Sequence, residues 1–265
     1  KSVDYTSVWS TTLFTKVYLL IGFGLITSLF VLLNVYLAYK RRPVYVAMAV
    51  ENDNLERYRA QIEPLRKIAF LGVGAAVFYF AGTAGTSLWR SWLLFKNSTD
   101  FGVKDVQFNL DISFFAFRLP FWQSLISWGF SALILAILAA GAVHYLYGGL
   151  RPQMRQDRST PFARAQLSVL LGLVVLLKGV AYWFDRYALS LKENKLITGL
   201  TYSDVNALLP AKAILAGIAV ICSLLFFANI FRKSWFLPAS GTALLVISAV
   251  LIAGVYPAAI QTFQV

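Results

Sequence analysis

Charge, cysteine and histidine are all scarce in this sequence of 265 residues. Only 14% of the residues are charged, and the chain has one cysteine, Cys222, and one histidine, His144. Soluble domains carry about 25% charged residues, so an ordinary cytosolic enzyme is excluded, and a lone cysteine excludes a disulfide-stabilised scaffold. Hydrophobic residues make up 58% of the chain, and its mean hydropathy is +0.66. One core of this length cannot bury so many apolar side chains, which indicates a multi-pass membrane protein.

Six apolar stretches are long enough to cross a bilayer, which takes about 20 residues. They are residues 13–39, 68–89, 122–147, 166–187, 210–231 and 236–260. They do not alternate apolar with polar residues as transmembrane strands do, and aromatic residues mark their ends, as at membrane interfaces. We therefore predict an all-α fold, a polytopic bundle of six transmembrane helices that forms a single domain over residues 1–265.

The basic residues are unevenly distributed between the connecting segments. Segments 40–67, 148–165 and 232–235 hold 13 of the 24 Lys and Arg residues, although together they are shorter than the segments on the other side. Positive charge concentrates on the cytoplasmic side of membrane proteins, so these segments are predicted to be cytoplasmic and both ends of the chain to lie outside. An outer N-terminus without a signal peptide leads us to expect a further segment upstream.

The predicted cytoplasmic segment 51–67 has the pattern of an amphipathic helix. Its apolar residues at helical spacing are Leu55, Tyr58, Ile62 and Leu65, and its charged face consists of Glu56, Arg57, Arg59 and Glu63. This pattern predicts a helix that lies at the bilayer surface or docks on the bundle.

The predicted outer loop, residues 90–121, alternates apolar with polar residues between Val106 and Phe114. A period of two is typical of a half-buried strand or extended segment. We favour an ordered interfacial loop with aromatic anchors, and a re-entrant segment that lines a pathway is the alternative. Five of its side chains are candidate contacts for a partner: Asp105, Phe108, Asp111, Phe117 and Arg118.

Ionisable residues within the predicted helices are the candidate functional residues, because charge is unfavourable in a membrane. Lys178 lies near the middle of the fourth predicted helix, and Asp185 and Arg186 lie at the end of the same helix. A structural or snorkelling lysine is the favoured interpretation of Lys178, and coupling to a proton or ion is the alternative. Pairing of Lys178 with Asp185 is disfavoured, because seven residues of helix span about 10 Å. Lys212 is expected to extend towards the outer interface.

His144 cannot form a metal site alone, and no cysteine or acidic cluster accompanies it in the sequence. A hydrogen-bonded histidine at the interface is favoured, and axial ligation of a haem or pigment is the alternative. The sequence has no recognisable nucleophile–histidine–acid set and no glycine-rich phosphate loop after a strand. We therefore assign no catalytic residue and predict that the chain is not an enzyme.

Several motifs occur in an order that resembles uncharacterised protein family 0182, a family of bacterial multi-pass membrane proteins. They are residues 101–108, 111–121, 144–149, 182–187, 202–206 with 209–211, and 256–265. The chain departs from the family pattern at Val106, where proline is usual, and at Phe115, where tyrosine is common. The resemblance implies a membrane domain with one further helix at its start and a large extracytoplasmic domain after it, and it implies no catalytic residue.

Three hypotheses for the function follow. The leading one is a non-enzymatic scaffold or accessory subunit of a larger membrane complex, because the distinctive motifs cluster on the predicted outer side. The second is a transporter or channel for a lipid or small ion that uses Lys178 and Asp185. The third is a pigment- or haem-binding subunit with His144 as ligand.

The expected partners are membrane lipids and other membrane protein subunits. Nucleic acid is not expected, because the basic residues are split between loops and the sequence carries no signature of a nucleic-acid-binding fold. The sequence assigns no cofactor; bound lipid is expected, and a haem or pigment is the alternative. The expected location is a bacterial cell membrane or an internal bacterial membrane.

Overall fold

A computed structural model describes residues 5–43, 53–152, 158–192, 199–231 and 236–255. The α-helices are α1 (Tyr5–Lys40), α2 (Asp53–Thr86), α3 (Trp89–Lys96), α4 (Leu119–Leu146), α5 (Pro161–Ala188), α6 (Leu209–Ala228) and α7 (Phe236–Val250). Short π-helical segments lead into α4 (Phe114–Arg118) and α6 (Asp204–Leu208) and continue α7 (Leu251–Val255). These described ranges contain isolated β-bridges and no strand, which confirms the all-α prediction.

Five stretches of helix are long and apolar enough to cross a membrane. They are Thr6–Lys40, Ala60–Thr86, Phe114–Leu146, Pro161–Leu191 and Asp204–Ala228. A sixth apolar helix, Pro238–Val250, is shorter, and the predicted stretch 236–260 ends outside the described residues. The length and composition of the helices thus agree with a membrane protein.

The chain divides into two compact units. Unit 1 comprises Lys1–Leu93 and Ser131–Leu167, and unit 2 comprises Leu94–Phe130 and Ser168–Val265. The expectation of a single transmembrane domain stays a prediction.

Helices α1 and α2 pack closely along each other in unit 1. A Cβ atom on Gly82 of α2 would lie 2.8 Å from the backbone oxygen of Leu20, and one on Gly85 would lie 2.7 Å from the Cβ of Phe23. Such contacts exclude any larger residue unless a backbone moves. Small residues that allow close backbone approach are typical of helix pairs in membranes.

The core of unit 2 lies where α5, α6 and α7 meet. Tyr182 of α5 packs with Leu215 and Ala216 of α6, and Ile252 of the segment after α7 contacts this cluster. A buried hydrogen bond of 2.8 Å joins Asn229 Nδ2 to Ser168 Oγ. Polar contacts of this kind between helices are favourable in an apolar environment.

The amphipathic segment 51–67 is not a separate surface helix in the structure. Helix α2 continues through it from Asp53 to Thr86 with Pro64 inside, and Glu51 lies outside the described residues. No glycine occurs between Asp53 and Gly72, and a proline alone often bends a helix instead of ending it. Tyr58 and Leu65, which the pattern placed on a docking face, are 60% and 54% exposed.

The predicted extended segment of the outer loop is also wrong. The chain forms α3, then a turn at residues 106–108, and it is helical again from Ile112. Asn109 has a φ of +54°, a left-handed conformation that breaks an extended strand. The alternation of apolar and polar residues therefore reflects a compact turn between two helices.

Candidate functional site

The carboxylate of Glu63 accepts hydrogen bonds from two tyrosines and two arginines. Tyr39 Oη and Arg66 Nη1 donate to Oε1 at 2.9 and 3.0 Å. Tyr147 Oη donates to Oε2 at 3.0 Å, and Arg42 Nη1 lies 3.4 Å from both oxygens. We call these five residues the Glu63 cluster. The bonds join α1, α2 and the end of α4 in unit 1.

The tyrosine rings of the Glu63 cluster pack against each other and against an arginine. The ring centroids of Tyr39 and Tyr147 lie 5.2 Å apart in an edge-on arrangement. The guanidinium of Arg42 lies 4.1 Å from the Tyr39 ring and 5.0 Å from the Tyr147 ring, which is cation–π geometry. Partial burial, followed by the hydrogen bond to Glu63, raises the pKa of Tyr147 to about 12. The Tyr147 phenol is therefore a neutral donor at physiological pH.

The sequence pattern placed Glu63 on the charged face of an amphipathic helix and gave it no partner on another helix. Its tyrosine partners lie 24 and 84 residues away in the chain. Helical periodicity describes one helix at a time, so it could not predict that three segments converge. Only the contact between Glu63 and Arg66, one turn apart on α2, was accessible from local spacing.

A pocket of about 810 Å³ adjoins the Glu63 cluster in unit 1. Its lining is mostly apolar and includes Phe70, Leu71 and Val143, while Arg42, Arg66 and Lys67 add positive charge. Ligand sites in proteins typically have volumes of about 300–1,000 Å³ and apolar walls with a few polar groups. This pocket was not predictable from the sequence, because its walls come from separate helices.

His144 lies in a buried hydrogen-bond network of unit 1. Its Nε2 atom is 2.9 Å from Gln166 Oε1, so this nitrogen carries the proton. Gln166 Nε2 donates in turn to the backbone oxygen and side-chain oxygen of Asn34, at 2.9 and 3.1 Å. The side chain is 2% exposed, and a Cβ atom on Gly149 would lie 2.7 Å from Nδ1. Axial ligation of a haem or pigment by His144 stays a prediction, which this network disfavours.

The ionisable residues of α5 and α6 in unit 2 do not form the pair of Lys178 with Asp185 that was considered from the sequence. Asp185 accepts a hydrogen bond of 2.9 Å from Lys212 Nζ, so Lys212 does not extend outward alone. Lys178 Nζ lies 4.6 Å from the centroid of the Tyr182 ring, and Lys212 Nζ lies 5.3 Å from it. The ring of Tyr182 therefore makes cation–π contacts with both lysines. Lys178 and Asp185 have separate partners.

Arg186 stacks on the neighbouring Trp183 ring at 4.5 Å. Its Nε atom is buried without a hydrogen-bond partner among the described residues. The cation–π contact compensates part of this loss. A functional role for Lys178, Asp185 or Arg186 stays a prediction.

The Asp111 carboxylate organises the α3–α4 loop, residues 97–113. It accepts backbone N–H bonds from Phe101, Gly102 and Ser113 at 3.0, 2.9 and 2.9 Å. These bonds, with the Phe101 amide first, lower the pKa of Asp111 to about 2. The carboxylate is thus ionised at physiological pH and fastens the two ends of the loop together.

Asp105 plays a similar part in the turn of the loop. Its side chain accepts backbone N–H bonds from Gln107 and Phe108 at 3.0 and 2.8 Å. Its backbone also bonds with Leu110 and Asn109. An aspartate that captures the amides two and three residues ahead forms an Asx-type turn. Both acids predicted to contact a partner are therefore engaged within the loop.

The three other predicted contact residues pack within unit 2. The Phe108 ring lies 4.9 Å from that of Tyr187, and the Phe117 ring lies 5.4 Å from that of Phe101. The Arg118 guanidinium binds a serine and an aspartate of the same loop, at 3.1 and 3.4 Å. Their role in partner contact stays a prediction.

Other residues of the loop point outward. Phe101 and Val103 are 52% and 56% exposed, and Val106 is completely exposed. Val106 is the position where the sequence departs from the family's usual proline. The loop thus uses its two aspartates internally, and it presents these three apolar side chains beside the exposed polar residues Lys104 and Gln107.

Asp204 forms a reciprocal cap at the start of the π-helical turn before α6. Thr201 donates to Asp204 Oδ2 through its backbone N at 2.9 Å and its hydroxyl at 2.6 Å, and the Asp204 N–H donates back to Thr201 Oγ1 at 3.3 Å. Lys192 Nζ adds an ion pair at 3.0 Å. The Thr-x-x-Asp spacing was a signal for this capping arrangement in the sequence, and it was missed.

A metal centre has no support in the part of the chain that the structure describes. Within it, no three His, Cys, Asp or Glu residues lie close enough together to hold an ion.

The comparison with protein families decides the classification. UPF0182, described as an uncharacterised protein family, matches residues 1–265. The chain belongs to the UPF0182 family. The resemblance that the loop and helix-end motifs indicated is therefore confirmed.

Bacterial members of UPF0182 are similar to this chain over its whole length. It is 50% identical to a UPF0182 protein of Streptomyces coelicolor, 44% to one of a Nocardioides species and 43% to one of Frankia alni, each over 100% of the chain. The match covers 27%, 26% and 26% of those relatives, so the chain spans about a quarter of their length. No solved structure matches it.

Proposed function

We propose that this chain is a non-enzymatic, membrane-embedded helical base for the remainder of a longer polypeptide. The α3–α4 loop is the surface on which that remainder packs. Two observations support the proposal. The helices are long and apolar enough for a bilayer, and UPF0182 relatives carry roughly three quarters of their residues outside the matched part.

The observation that carries the proposal is that the loop's two aspartates bind its own backbone amides while three of its apolar side chains are exposed. Asp105 and Asp111 together accept hydrogen bonds from five backbone amides of the loop, which restrains its backbone. Phe101, Val103 and Val106 are then left outward. A rigid surface with exposed apolar side chains favours a protein contact, since it loses little conformational entropy on binding.

Photo-crosslinking tests this proposal on the natural polypeptide that carries this sequence. A benzophenone amino acid replaces Val106, and a second variant carries it at Phe80, an exposed residue of α2 (69%). We expect position 106 to crosslink to peptides outside residues 1–265 and position 80 to crosslink to lipid. If position 106 also captures only lipid, the loop lies in the membrane interface and the proposal is wrong.

The distribution of basic residues supports one orientation of this base. Segments 40–67, 148–165 and 232–235 are placed in the cytoplasm and the α3–α4 loop outside, by the rule that positive residues stay inside. The Glu63 cluster then lies at the cytoplasmic end of unit 1.

Transport at Lys178 and Asp185 is a second candidate function. The observation that favours it is the position of Lys178, in the long apolar helix α5, with the Tyr182 ring as its contact and no ion pair among the described residues. Replacement of Lys178 by Ala would then abolish flux of an ion or lipid in liposomes, while Lys192→Ala would not. Unchanged flux in Lys178→Ala would contradict transport.

A further inference from the structure

We propose that the pocket beside the Glu63 cluster binds one anionic phospholipid. The phosphate binds at the basic rim, and an acyl chain lies along the apolar wall. This inference is independent of the scaffold proposal, because it concerns unit 1 and not the α3–α4 loop.

The charge at the pocket favours an anion. Its lining includes three cations, Arg42, Arg66 and Lys67, beside the single carboxylate of Glu63. Arg66 donates to Glu63 and Tyr39 through Nη1, and among the described residues its Nε and Nη2 donors have no other acceptor. Lys67 is exposed and forms no ion pair within the described residues. Guanidinium and ammonium groups together are the usual ligands of a phosphate.

The Glu63 carboxylate positions the two arginines of the rim, and its single negative charge leaves the three cations of the lining in excess. Both of its oxygens already accept hydrogen bonds, from Tyr39 and Tyr147 as well as from the arginines. These bonds fix the two guanidinium groups beside the pocket before a ligand arrives. A fixed cation loses less side-chain entropy on binding than a mobile one.

The pocket has the depth and the walls that suit an acyl chain. Along α1 and the residues just after it the lining runs from Val35 to Arg42, and along α2 from Ile62 to Val73, a length of about 10 to 16 Å at 1.5 Å per residue. Arg42, Arg66 and Lys67 lie towards one end of this length, with Ile62 beside them, and the lining from Ala69 to Val73 is entirely apolar. A soluble anion would use only the charged end, whereas a phospholipid matches both.

The pocket also opens sideways, to the surface that a bilayer would cover. Leu71 on its wall is 69% exposed and Tyr36 is 47% exposed. Both belong to helices long and apolar enough to span a membrane. A lipid can therefore enter from the bilayer without passing through water.

Native mass spectrometry of the purified natural polypeptide tests the inference. The protein is titrated in detergent with phosphatidylglycerol, which is anionic, or with phosphatidylcholine, which is zwitterionic, of the same acyl chains. We expect one phosphatidylglycerol to bind per chain at concentrations where phosphatidylcholine does not. Glycerol 3-phosphate, which has the phosphate and no acyl chain, should not compete.

Two variants test the contributions of the basic rim and of the apolar wall to lipid binding separately. Lys67→Gln should weaken phosphatidylglycerol binding about fivefold, the effect of one basic residue near an anionic lipid surface. Ala69→Phe fills the pocket from an exposed position on its wall and should abolish specific binding. The matched controls are Arg41→Gln, an exposed cation of the same region, and Ala75→Phe, an exposed alanine of α2; neither lines the pocket.

Three results would overturn the inference. Equal binding of the two lipids would mean that the rim does not select charge. Wild-type binding by Ala69→Phe would mean that the lipid lies elsewhere. Equal loss in Lys67→Gln and Arg41→Gln would mean that general surface charge attracts the lipid.

Discussion

Two carboxylates in this chain are held in opposite ways. Glu63 is bound by side chains from three separate segments, with partners up to 84 residues away. Asp111 is bound by backbone amides, and each of these lies within 10 residues along the chain. The first carboxylate holds helices together, and the second shapes a single loop.

The difference shows which of the two carboxylates depends on tertiary packing for its hydrogen bonds. The bonds of Asp111 can form wherever the loop closes, because the donors belong to the same short stretch of chain. The bonds of Glu63 require that α1, α2 and the end of α4 already lie side by side. Loss of Glu63 should therefore affect unit 1 as a whole, and loss of Asp111 only its loop.

The largest effect is expected from Glu63→Ala. The substitution removes the common acceptor of Tyr39, Tyr147, Arg42 and Arg66 and leaves two neighbouring cations without their anion. A hydrogen bond to a charged group contributes about 1.5–3 kcal/mol, and the side chain is 38% exposed, so a total loss of about 2 kcal/mol is expected after solvent screening. Thermal unfolding in detergent should shift down by roughly 4–8 °C.

A pair of tyrosine variants checks that this loss comes from the cluster. Tyr147→Phe removes one donor to Glu63 and should lower the melting temperature by part of the Glu63→Ala shift. Tyr79→Phe is the matched control, because Tyr79 is 62% exposed and its hydroxyl has no partner in the described residues. A Glu63→Ala protein that melts like the wild type would contradict the comparison.

A smaller and local effect is expected from Asp111→Asn. The substitution replaces one of the two acceptor oxygens by an NH2 donor and weakens the other. The N–H groups of Phe101, Gly102 and Ser113, which use both oxygens, should therefore lose protection. Hydrogen exchange with mass spectrometry should show faster exchange in the loop and little change in α1 and α2. Asp100→Asn is the control, since among the described residues Asp100 accepts bonds only from side chains.

The same contrast explains which parts of the fold were predictable. The apolar stretches predicted the long helices, because a bilayer-length run of apolar residues has few other stable conformations. The α3–α4 loop was misassigned as extended, because a period of two cannot distinguish a strand from a turn closed by Asp105 and Asp111. Aspartates near Gly102 and Asn109 were the available signal for the turn.

The candidate site was less predictable than the helices. Lys178 and Asp185 were identified as costly charges, yet the partner of Asp185 proved to be Lys212 on the next helix. Glu63 was assigned to the charged face of a helix without a partner elsewhere, because periodicity describes one helix at a time. In each case the missing information is the identity of the neighbouring helix, which a single sequence does not contain.

The pH dependence of the loop sharpens the comparison further. The pKa of Asp111 is lowered to about 2 in the fold, against about 3.9 for a free aspartate. A lowered pKa means that the carboxylate stabilises the loop above pH 4 and that this contribution is lost as the pH falls towards 2. The amide resonances of Phe101 and Gly102, followed by NMR from pH 6 to well below pH 2, should shift with a midpoint near 2. A midpoint near 4 would show that the bonds do not form.

The smallest effect is expected from two cysteine substitutions, which report accessibility to a thiol reagent and leave stability unchanged. By the orientation proposed from the basic residues, the Asp111 loop faces outward and the Glu63 end of unit 1 faces the cytoplasm. Thr99→Cys near Asp111 and Tyr58→Cys near Glu63 are exposed reporters, and the natural thiol, Cys222, is buried. A membrane-impermeant maleimide added to intact cells should label Thr99→Cys, and Tyr58→Cys should react only after the membrane is opened. The reverse pattern would invert the orientation, whereas labelling of both in intact cells would mean that the two carboxylates share one side of the membrane.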